Sequence, residues 1–260
     1  MLSIFSTPQP LNNLNPINLI HVLKETLKRF LKSLPFAFTQ NQRYDRQTRR
    51  VIEKVCRPDS NCIDVGCHKG EILDLFIQFA PQGTHYGFEP IPGLFENLKK
   101  KYADSKNCLL FDIALSDKKG TSSFNYVVSN PSYSGLQKRH YDHPGEKDTL
   151  ITVRTERLDD LLPADFKVDL IKIDVEGGEI LVLRGAVKTL ARCKPVVIFE
   201  HGLGASEFYG ATPEQVFDIF EQCGLRVSLM GNFLKNLPPL TKEAFSKHFY
   251  EKLNYYFIAY

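Results

Sequence analysis

A glycine-bearing turn preceded by an acidic residue is the sharpest chemical pattern in the sequence. An apolar run ends at Val65, and a helical pattern starts after Gly70. Such a turn forms a ligand site, because unpaired N–H groups of the helix point at it and glycine lets the backbone come close. The spacing is D-x-G-x-x-x-G, not the G-x-G-x-x-G of dinucleotide binders. The turn therefore predicts cofactor contacts at Asp64, Gly66, His68 and Gly70.

Two acids in this region indicate which ligand the turn would bind. A carboxylate at Asp64 would repel a pyrophosphate, but it suits the ammonium and sulfonium groups of S-adenosylmethionine. Glu89 follows the turn by about 20 residues, where an acid can bind both hydroxyls of a ribose. The alternatives are that the glycine turn is an ordinary strand-to-helix turn and that Glu89 is a solvated loop carboxylate. Because both acids stand at the positions that such a site needs, we predict S-adenosylmethionine as the cofactor and S-adenosylhomocysteine as its product.

The end of the third predicted strand offers a place for the adenine ring of such a cofactor. An adenine ring lies between apolar side chains, and its exocyclic amine needs a polar partner. Asp112, Ile113 and Ala114 provide both kinds of side chain. The alternative for Asp112 is an ion pair with a neighbouring lysine.

A second group of acids follows the fourth and fifth predicted strands. Asp174, Glu176 and Glu179 crowd the end of the fourth strand, and Glu200 and His201 end the fifth. Mutual repulsion raises the pKa of at least one carboxyl group, which favours a general base near neutral pH. For Glu179, an acid favoured by the dipole at a helix start is an equal alternative.

These acids predict that a proton is removed from an acceptor hydroxyl. We place the base among Glu176, Glu200 and His201, and we give Asp174 a positioning role near the cofactor. A divalent ion held by Asp174 and Glu200 is the alternative, because carboxylates suit magnesium and a bound ion acidifies a hydroxyl. We favour the side-chain base and predict no metal.

The elements that position these residues alternate between strand and helix, as in a parallel sheet. The predicted strands cover residues 62–65, 84–88, 108–115, 124–128, 168–173, 195–199, 225–230 and 255–259. The predicted helices cover residues 45–56, 71–79, 93–102, 179–190 and 213–223. This order predicts an α/β, Rossmann-like, doubly wound and mostly parallel sheet of about seven strands, with helices on both faces. Residues 129–149 are predicted to form a long surface loop, and loops of that length are either functional or disordered.

The first 45 residues form a predicted arm ahead of a domain that covers residues 46–260. Apolar residues recur at helical spacing between Ile17 and Leu34, with lysines and an arginine between them. We expect this amphipathic helix to pack on its own domain or on a second copy of the chain. Lying on a membrane surface is the alternative.

Charge and cysteine usage limit the partners and the compartment. Residues 1–50 hold eight basic and two acidic side chains, whereas the remainder holds 25 basic and 28 acidic ones. A mildly acidic main body is a poor binder of phosphate backbones, so nucleic acid is not an expected partner. The six cysteines form no C-x-x-C pair, which predicts a reducing cytoplasmic setting. No apolar stretch is long enough for a membrane span, and the start does not resemble a signal peptide.

Together these motifs resemble the FkbM-type family of S-adenosylmethionine-dependent methyltransferases. The resemblance runs from about Asn61 to Gly202, and its most specific part is the Asp-Val-Glu-Gly-Gly-Glu run over 174–179. It implies O-methylation of a sugar, glycan or secondary metabolite. It also implies that Asp64, Gly66 and Glu89 contact the cofactor and that Asp174, Glu176 and Glu200 are active-site acids. His68 and His201 are not mapped by it.

Three other functions compete with this interpretation. An RNA methyltransferase is supported only by the basic arm. A catalytically retired binding module would keep the cofactor turn, but it should have lost the acids after the fourth and fifth strands. A nicotinamide-dependent oxidoreductase is disfavoured, because this sequence lacks the third glycine of the dinucleotide-binding motif and the Asp64 carboxylate would repel the phosphates of the cofactor.

Overall fold

The computed structural model describes residues 39–141 and 145–260. The helix predicted over residues 17–34 lies outside this part, so the arm, its packing and its membrane alternative stay predictions. Contacts divide the chain after Arg46, and residues 47–260 form one compact unit.

Ten strands and nine α-helices follow one another in the described part of the chain. The strands are β1 Cys62–Val65, β2 His85–Phe88, β3 Cys108–Phe111, β4 Ile113–Leu115, β5 Gly120–Val127, β6 Asp148–Glu156, β7 Leu170–Ile173, β8 Val196–Glu200, β9 Val227–Ser228 and β10 Tyr256–Ala259. The helices are α1 Gln40–Val55, α2 Glu71–Phe79, α3 Pro92–Lys101, α4 Leu158–Leu161, α5 Glu179–Arg184, α6 Val187–Cys193, α7 Pro213–Gln222, α8 Met230–Leu234 and α9 Lys242–Tyr250. Short 3₁₀ turns cover Pro131–Tyr133 and Ser206–Tyr209.

Seven strands form the main sheet, in the order β3-β2-β1-β7-β8-β10-β9. The first five strands in this order run parallel, and β10 is antiparallel to both of its neighbours. The four residues of β1, β2 and β7 are all buried, as expected for strands covered on both faces. This arrangement confirms the predicted doubly wound, mostly parallel sheet.

A second, three-stranded sheet with the order β4-β6-β5 was not predicted. The predicted third strand, 108–115, is wrong as one element, because β3 ends at Phe111 and β4 pairs with β6 in the other sheet. Asp112 separates the two strands, and its carboxylate lies at the surface in an ion pair with Arg154. A single unpaired residue therefore transfers the chain from one sheet to the other.

The helix predicted over 179–190 is also wrong as one element. It is divided into α5 and α6 by Gly185 and Ala186. A Cβ atom on Gly185 would collide with the backbone carbonyl of Ser116, so the chain bends where another segment passes close to it.

The C-terminal part contains more helix than the sequence predicts. The strand predicted over 225–230 is reduced to β9, and α8 begins at Met230. Helix α9 was missed, although Thr241 caps it by accepting the backbone N–H of Ala244. Among the described residues, no helix is both long enough and apolar enough to cross a membrane.

Candidate active site

Four adjacent parallel strands end along one edge of the main sheet. Val65 pairs with Phe88 on one side and with Ile173 on the other, and Ile173 pairs with Phe199. The residues that follow these positions therefore meet at this edge. In doubly wound sheets the ligand binds outside such carboxyl ends.

The glycine turn after β1 is held in a conformation that glycine favours. Gly66 has a φ of 87°, and its N–H donates to the Phe88 carbonyl at 3.0 Å. A Cβ atom there would collide with the backbone carbonyl of Asp174. The turn therefore needs a glycine for contact with the end of β7 as well as for any ligand.

The rest of the turn also has left-handed backbone. His68 has a φ of 47° and Gly70, which caps α2, has a φ of 77°. A side chain at Gly70 would meet the Tyr102 hydroxyl, which donates to the Gly70 carbonyl at 2.7 Å. The tight turn is thus fixed from the side of α3, and its open side remains for a ligand.

Asp64 is almost fully buried on β1, and its Oδ2 has no hydrogen-bond partner within the described residues. Burial raises its pKa to about 7, with Lys172 acting against the rise and Asp174 adding to it. An unsatisfied buried acceptor costs free energy unless a donor reaches it. The orphaned oxygen fits a cationic ligand group, as the predicted role of Asp64 requires.

Glu89 is buried at the end of β2, where it organises the glycine turn. Its Oε2 accepts the His68 N–H at 2.8 Å, and its Oε1 accepts the Ile91 N–H at 2.9 Å. Burial raises the pKa of Glu89 to about 7 in spite of these bonds. A carboxylate oxygen accepts more than one hydrogen bond, so the predicted ribose contact is compatible with this geometry.

The three residues predicted to contact adenine lie where the chain leaves the main sheet and enters the second sheet. Asp112 pairs with Arg154 at 2.7 Å, so its partner is an arginine instead of the lysine considered above. Ile113 belongs to the main core, and Ala114 packs with Phe124 and other residues of the second sheet. Their contact with adenine stays a prediction.

Asp174, Glu176 and Glu200 form a compact acid cluster, with one carboxylate oxygen of each within 4.8 Å of the others. Asp174 accepts hydrogen bonds from Lys172 Nζ at 2.9 Å and from the Tyr256 hydroxyl. Burial would raise the pKa of Asp174, but the Lys172 charge and hydrogen bonds from Glu200 and Tyr256 outweigh it and lower the pKa to about 2. Asp174 is therefore an anion that its neighbours hold in place.

The other two acids of the cluster have raised pKa values. Burial raises the pKa of Glu200 well above its usual range, and the charges of Asp174 and Glu176 raise it further. Glu200 therefore holds its proton more tightly than Asp174 does, as one of two close carboxyl groups must. Burial and the charge of Asp174 raise the pKa of Glu176 to about 8, although an ion pair with Arg139 opposes the rise.

Glu176 also has unusual backbone. Its φ of 56° is rare outside glycine, and residues in this region cost about 1–3 kcal/mol unless their surroundings hold them. The buried Glu179 provides that support, because its Oε1 accepts the N–H groups of Val175 at 3.0 Å and Gly177 at 3.2 Å. Glu179 thus shapes the loop that presents Glu176.

The structure does not bring His201 into the acid cluster. Its fully buried ring stacks on Phe249 at 4.6 Å and lies 6.0 Å from Phe245, both on α9. Burial lowers its pKa to about 4. The ring is thus surrounded by aromatic side chains and gives no support to the base role predicted for it.

Sequence reasoning missed three side chains that position the acids. Lys172 lies two residues before the acidic run over 174–179, but only its register with Asp64 across β1 and β7 reveals its role. Tyr256 reaches Asp174 because β10 inserts beside β8, where Tyr256 pairs with Glu200. Arg139 comes from the segment predicted as a surface loop. No local sequence signal links any of these residues to the acids.

The comparisons with known proteins identify the family of the chain. The methyltransferase FkbM domain model matches residues 64–227, which is more than half of the chain. The 2-O-methyltransferase NoeI of Sinorhizobium fredii is 28% identical over 158 residues, which cover 56% of this chain and 65% of that protein. The AMB antimetabolite synthetase AmbE of Pseudomonas aeruginosa is 26% identical over 214 residues, which cover 67% of this chain and 10% of that protein. The chain thus spans less than two thirds of the length of either relative.

A crystal structure of methyltransferase FkbM from Methylobacillus flagellatus is also similar, with a TM-score of 0.49 and 13% identity. That alignment covers 93% of this chain and 60% of the other. The family model confirms the resemblance seen in the motifs, and the chain belongs to the FkbM family of S-adenosylmethionine-dependent methyltransferases.

Proposed function

We propose that this protein transfers a methyl group from S-adenosylmethionine to a hydroxyl oxygen of a sugar, glycan or secondary metabolite. The acid cluster at the ends of β7 and β8 carries the proposal, because it combines a fixed anion with two carboxyl groups of raised pKa. The name of the relative NoeI, a 2-O-methyltransferase, supports an oxygen acceptor. Retention of the three acids argues against a retired binding module.

The cofactor would lie along the edge that Asp64, Gly66 and Glu89 form. Its sulfonium supplies an electrophilic methyl group when it is bound. The orphaned Oδ2 of Asp64 and the negative charge of Asp174 would favour its positive charges. Glu89 would accept the ribose hydroxyls, while His68 and Gly70 shape the turn beneath it.

Glu176 is the stronger candidate for the base, with Glu200 as the second. A base works best when its pKa lies near the working pH, and the pKa of Glu176 is about 8. The acceptor hydroxyl would pass its proton to the carboxylate as its oxygen forms the bond to the methyl carbon, and the methyl–sulfur bond would break to leave S-adenosylhomocysteine. Asp174 is poorly suited to this task, because its low pKa makes it a weak proton acceptor.

A divalent metal is not part of this proposal. The three acids lie close enough to hold one, but Asp174 already pairs with Lys172 and Glu176 with Arg139. A metal ion would have to displace or repel these two cations. A chelator should therefore leave the activity intact.

Transfer of label from methyl-labelled S-adenosylmethionine to small-molecule and glycan extracts tests the proposal. We expect labelled products in which the methyl group is bound through oxygen, with and without chelator. Methyl transfer only to nitrogen, carbon or RNA would contradict the proposal, and loss of transfer with chelator would contradict the side-chain base.

A further inference from the structure

Residues 131–141, here called the strap, form a wall beside the acid cluster. The backbone N–H of Gln137 donates to the Tyr209 hydroxyl at 3.0 Å. Arg139 pairs with Glu176, and the His140 ring meets Phe208 edge-on at 5.3 Å. The strap is therefore fixed to the loops that carry the site.

Two consecutive strap residues reach toward different parts of the molecule. Arg139 reaches Glu176, whereas Lys138 forms an ion pair at 2.6 Å with Asp148, the first residue of β6. The strap thus connects the acid cluster with the second sheet. A ligand longer than one small ring could contact both.

A groove of about 480 Å³ lies where the strap crosses the second sheet. This volume is in the usual range for small-ligand sites. Its polar lining consists mainly of hydroxyl and carboxamide groups, from Ser122, Ser123, Thr149, Asn125 and Gln137. These groups both donate and accept hydrogen bonds, as the hydroxyls of a carbohydrate also do.

The remaining lining makes the groove neutral and partly apolar. The charges of Lys138 and Asp148 cancel in their ion pair, so no free cation is left for a phosphate backbone in the described lining. Leu150 also lines the groove and is 71% exposed, which offers an apolar surface for the C–H face of a sugar ring.

A hydrogen-bonded tyrosine stiffens one wall of the groove. The Tyr141 hydroxyl donates to Asp148 at 2.7 Å and accepts from Asn125 at 2.7 Å. Its ring lies nearly parallel to that of Tyr133, with centroids 6.1 Å apart. Asn125 and Asp148 of the lining are therefore held in place before a ligand arrives, which lowers the entropy lost on binding.

We infer that the groove binds sugar units next to the one that is methylated, so that the preferred acceptor is an oligosaccharide or glycan chain instead of a monosaccharide. The inference rests on the proposed O-methyltransferase function and assigns its acceptor class. The acid cluster would receive the reacting hydroxyl. The strap would lie between this hydroxyl and the saccharide units that are bound in the groove.

The test uses the full-length protein on an array of immobilised saccharides that range from single sugars to chains of about six units. The groove variant combines Gln137→Ala and Leu150→Ala, and the matched control combines the exposed Gln82→Ala and Leu237→Ala. We expect the wild type and the control to retain chains of three or more units. The groove variant should bind these chains at least tenfold more weakly.

Labelled methyl transfer on the same array separates this inference from the proposed function. Equal retention by the groove variant, or retention of no oligosaccharide by the wild type, would overturn the inference even if a small hydroxyl compound is methylated. Groove-dependent retention without methylation of any saccharide would support binding in the groove but overturn the assignment of an oligosaccharide as the acceptor. Both results together, retention through the groove and transfer to the retained chain, are the expected outcome.

Discussion

The acids of the cluster differ in protonation because their neighbours differ. Asp174 has Lys172 and Tyr256 as donors, so it stays ionised down to a pH of about 2. Glu176 has one cation, Arg139, which does not offset its burial and the nearby charge of Asp174. Three carboxyl groups of the same chemistry thereby provide one fixed anion and two groups whose pKa values are raised.

Replacing the two exchangeable acids should separate catalysis from cofactor binding. Glu176→Gln and Glu200→Gln keep the size of each side chain but remove its ability to accept a proton. We expect both variants to bind S-adenosylmethionine normally and at least one to lose tenfold or more in turnover, since a base contributes about 10²–10⁴ in rate. Calorimetry and a turnover assay measure the two effects, with the exposed Glu96→Gln as control. Normal turnover in both variants would place the base elsewhere.

The buried acids of the cofactor edge should make the unliganded protein less stable as pH rises. The pKa values of Asp64 and Glu89 are both about 7, above the ordinary values of 3.8 and 4.5. The folded state therefore binds protons more tightly than the unfolded chain, and this contribution to stability is lost as pH rises through about 7. Melting temperatures between about pH 5.5 and about pH 8 should fall less in Glu89→Gln than in the wild type. An unchanged slope would show that Glu89 titrates normally.

Elements with a regular hydrophobic pattern were predictable, and long-range arrangements were not. The short apolar strands β1, β2, β7 and β8 and the acids that follow them could be located, because burial on both faces and the glycine turn leave local signals. The exchange between sheets at Asp112 depends on pairing between β4 and the distant β6, which no local pattern records. The run of β-branched residues over 149–155 does predict a strand, and that signal for β6 was overlooked.

The break between α5 and α6 can be tested with a pair of glycine substitutions. Gly185→Ala should force its Cβ against the Ser116 carbonyl, and overpacking of this kind costs about 1–3 kcal/mol. We expect a fall in melting temperature of roughly 2–12 °C for a domain of this size. Gly93→Ala is the matched control, because nothing lies within 4 Å of a Cβ atom there. Equal melting temperatures for the two variants would mean that the break has another cause.

The strap should influence catalysis through Arg139. Its charge lowers the pKa of Glu176, so Arg139→Ala should raise that pKa further. If Glu176 is the base, the rising limb of the pH–rate profile should move to higher pH, since the carboxylate forms later. Arg139→Lys should largely restore the limb, and the exposed Arg50→Ala should not move it. A limb that stays in place in Arg139→Ala would show that Arg139 does not tune the base.

At the scale of the whole molecule, the two sheets position different parts of the proposed site. The main sheet brings together the ends of β1, β2, β7 and β8, which form the cofactor edge and the acid cluster. The second sheet lies between β3 and β7 in the chain and carries the strap on its β5–β6 connection. Changes in the strap would therefore alter the proposed acceptor groove while the strand ends of the main sheet stay in place, which matches the division between scaffold and functional loops in many folds.

Cofactor binding should stabilise the whole folded unit. A ligand at 100 times its dissociation constant adds about 2.7 kcal/mol, which corresponds to roughly 5–10 °C in melting temperature for a domain of this size. S-adenosylmethionine and S-adenosylhomocysteine should each produce this shift in thermal unfolding, whereas NAD should not.

Gly66→Val is unsuitable as a control, because its side chain would collide with Asp174 before any ligand binds. Asp64→Asn keeps the shape of the side chain and removes its charge. The shift in melting temperature should therefore shrink with S-adenosylmethionine, whose amine and sulfonium are both cationic. It should shrink less with S-adenosylhomocysteine, because that product lacks the sulfonium. A shift with NAD alone would contradict the cofactor assignment, and a full shift with S-adenosylmethionine in Asp64→Asn would remove Asp64 from the cofactor site.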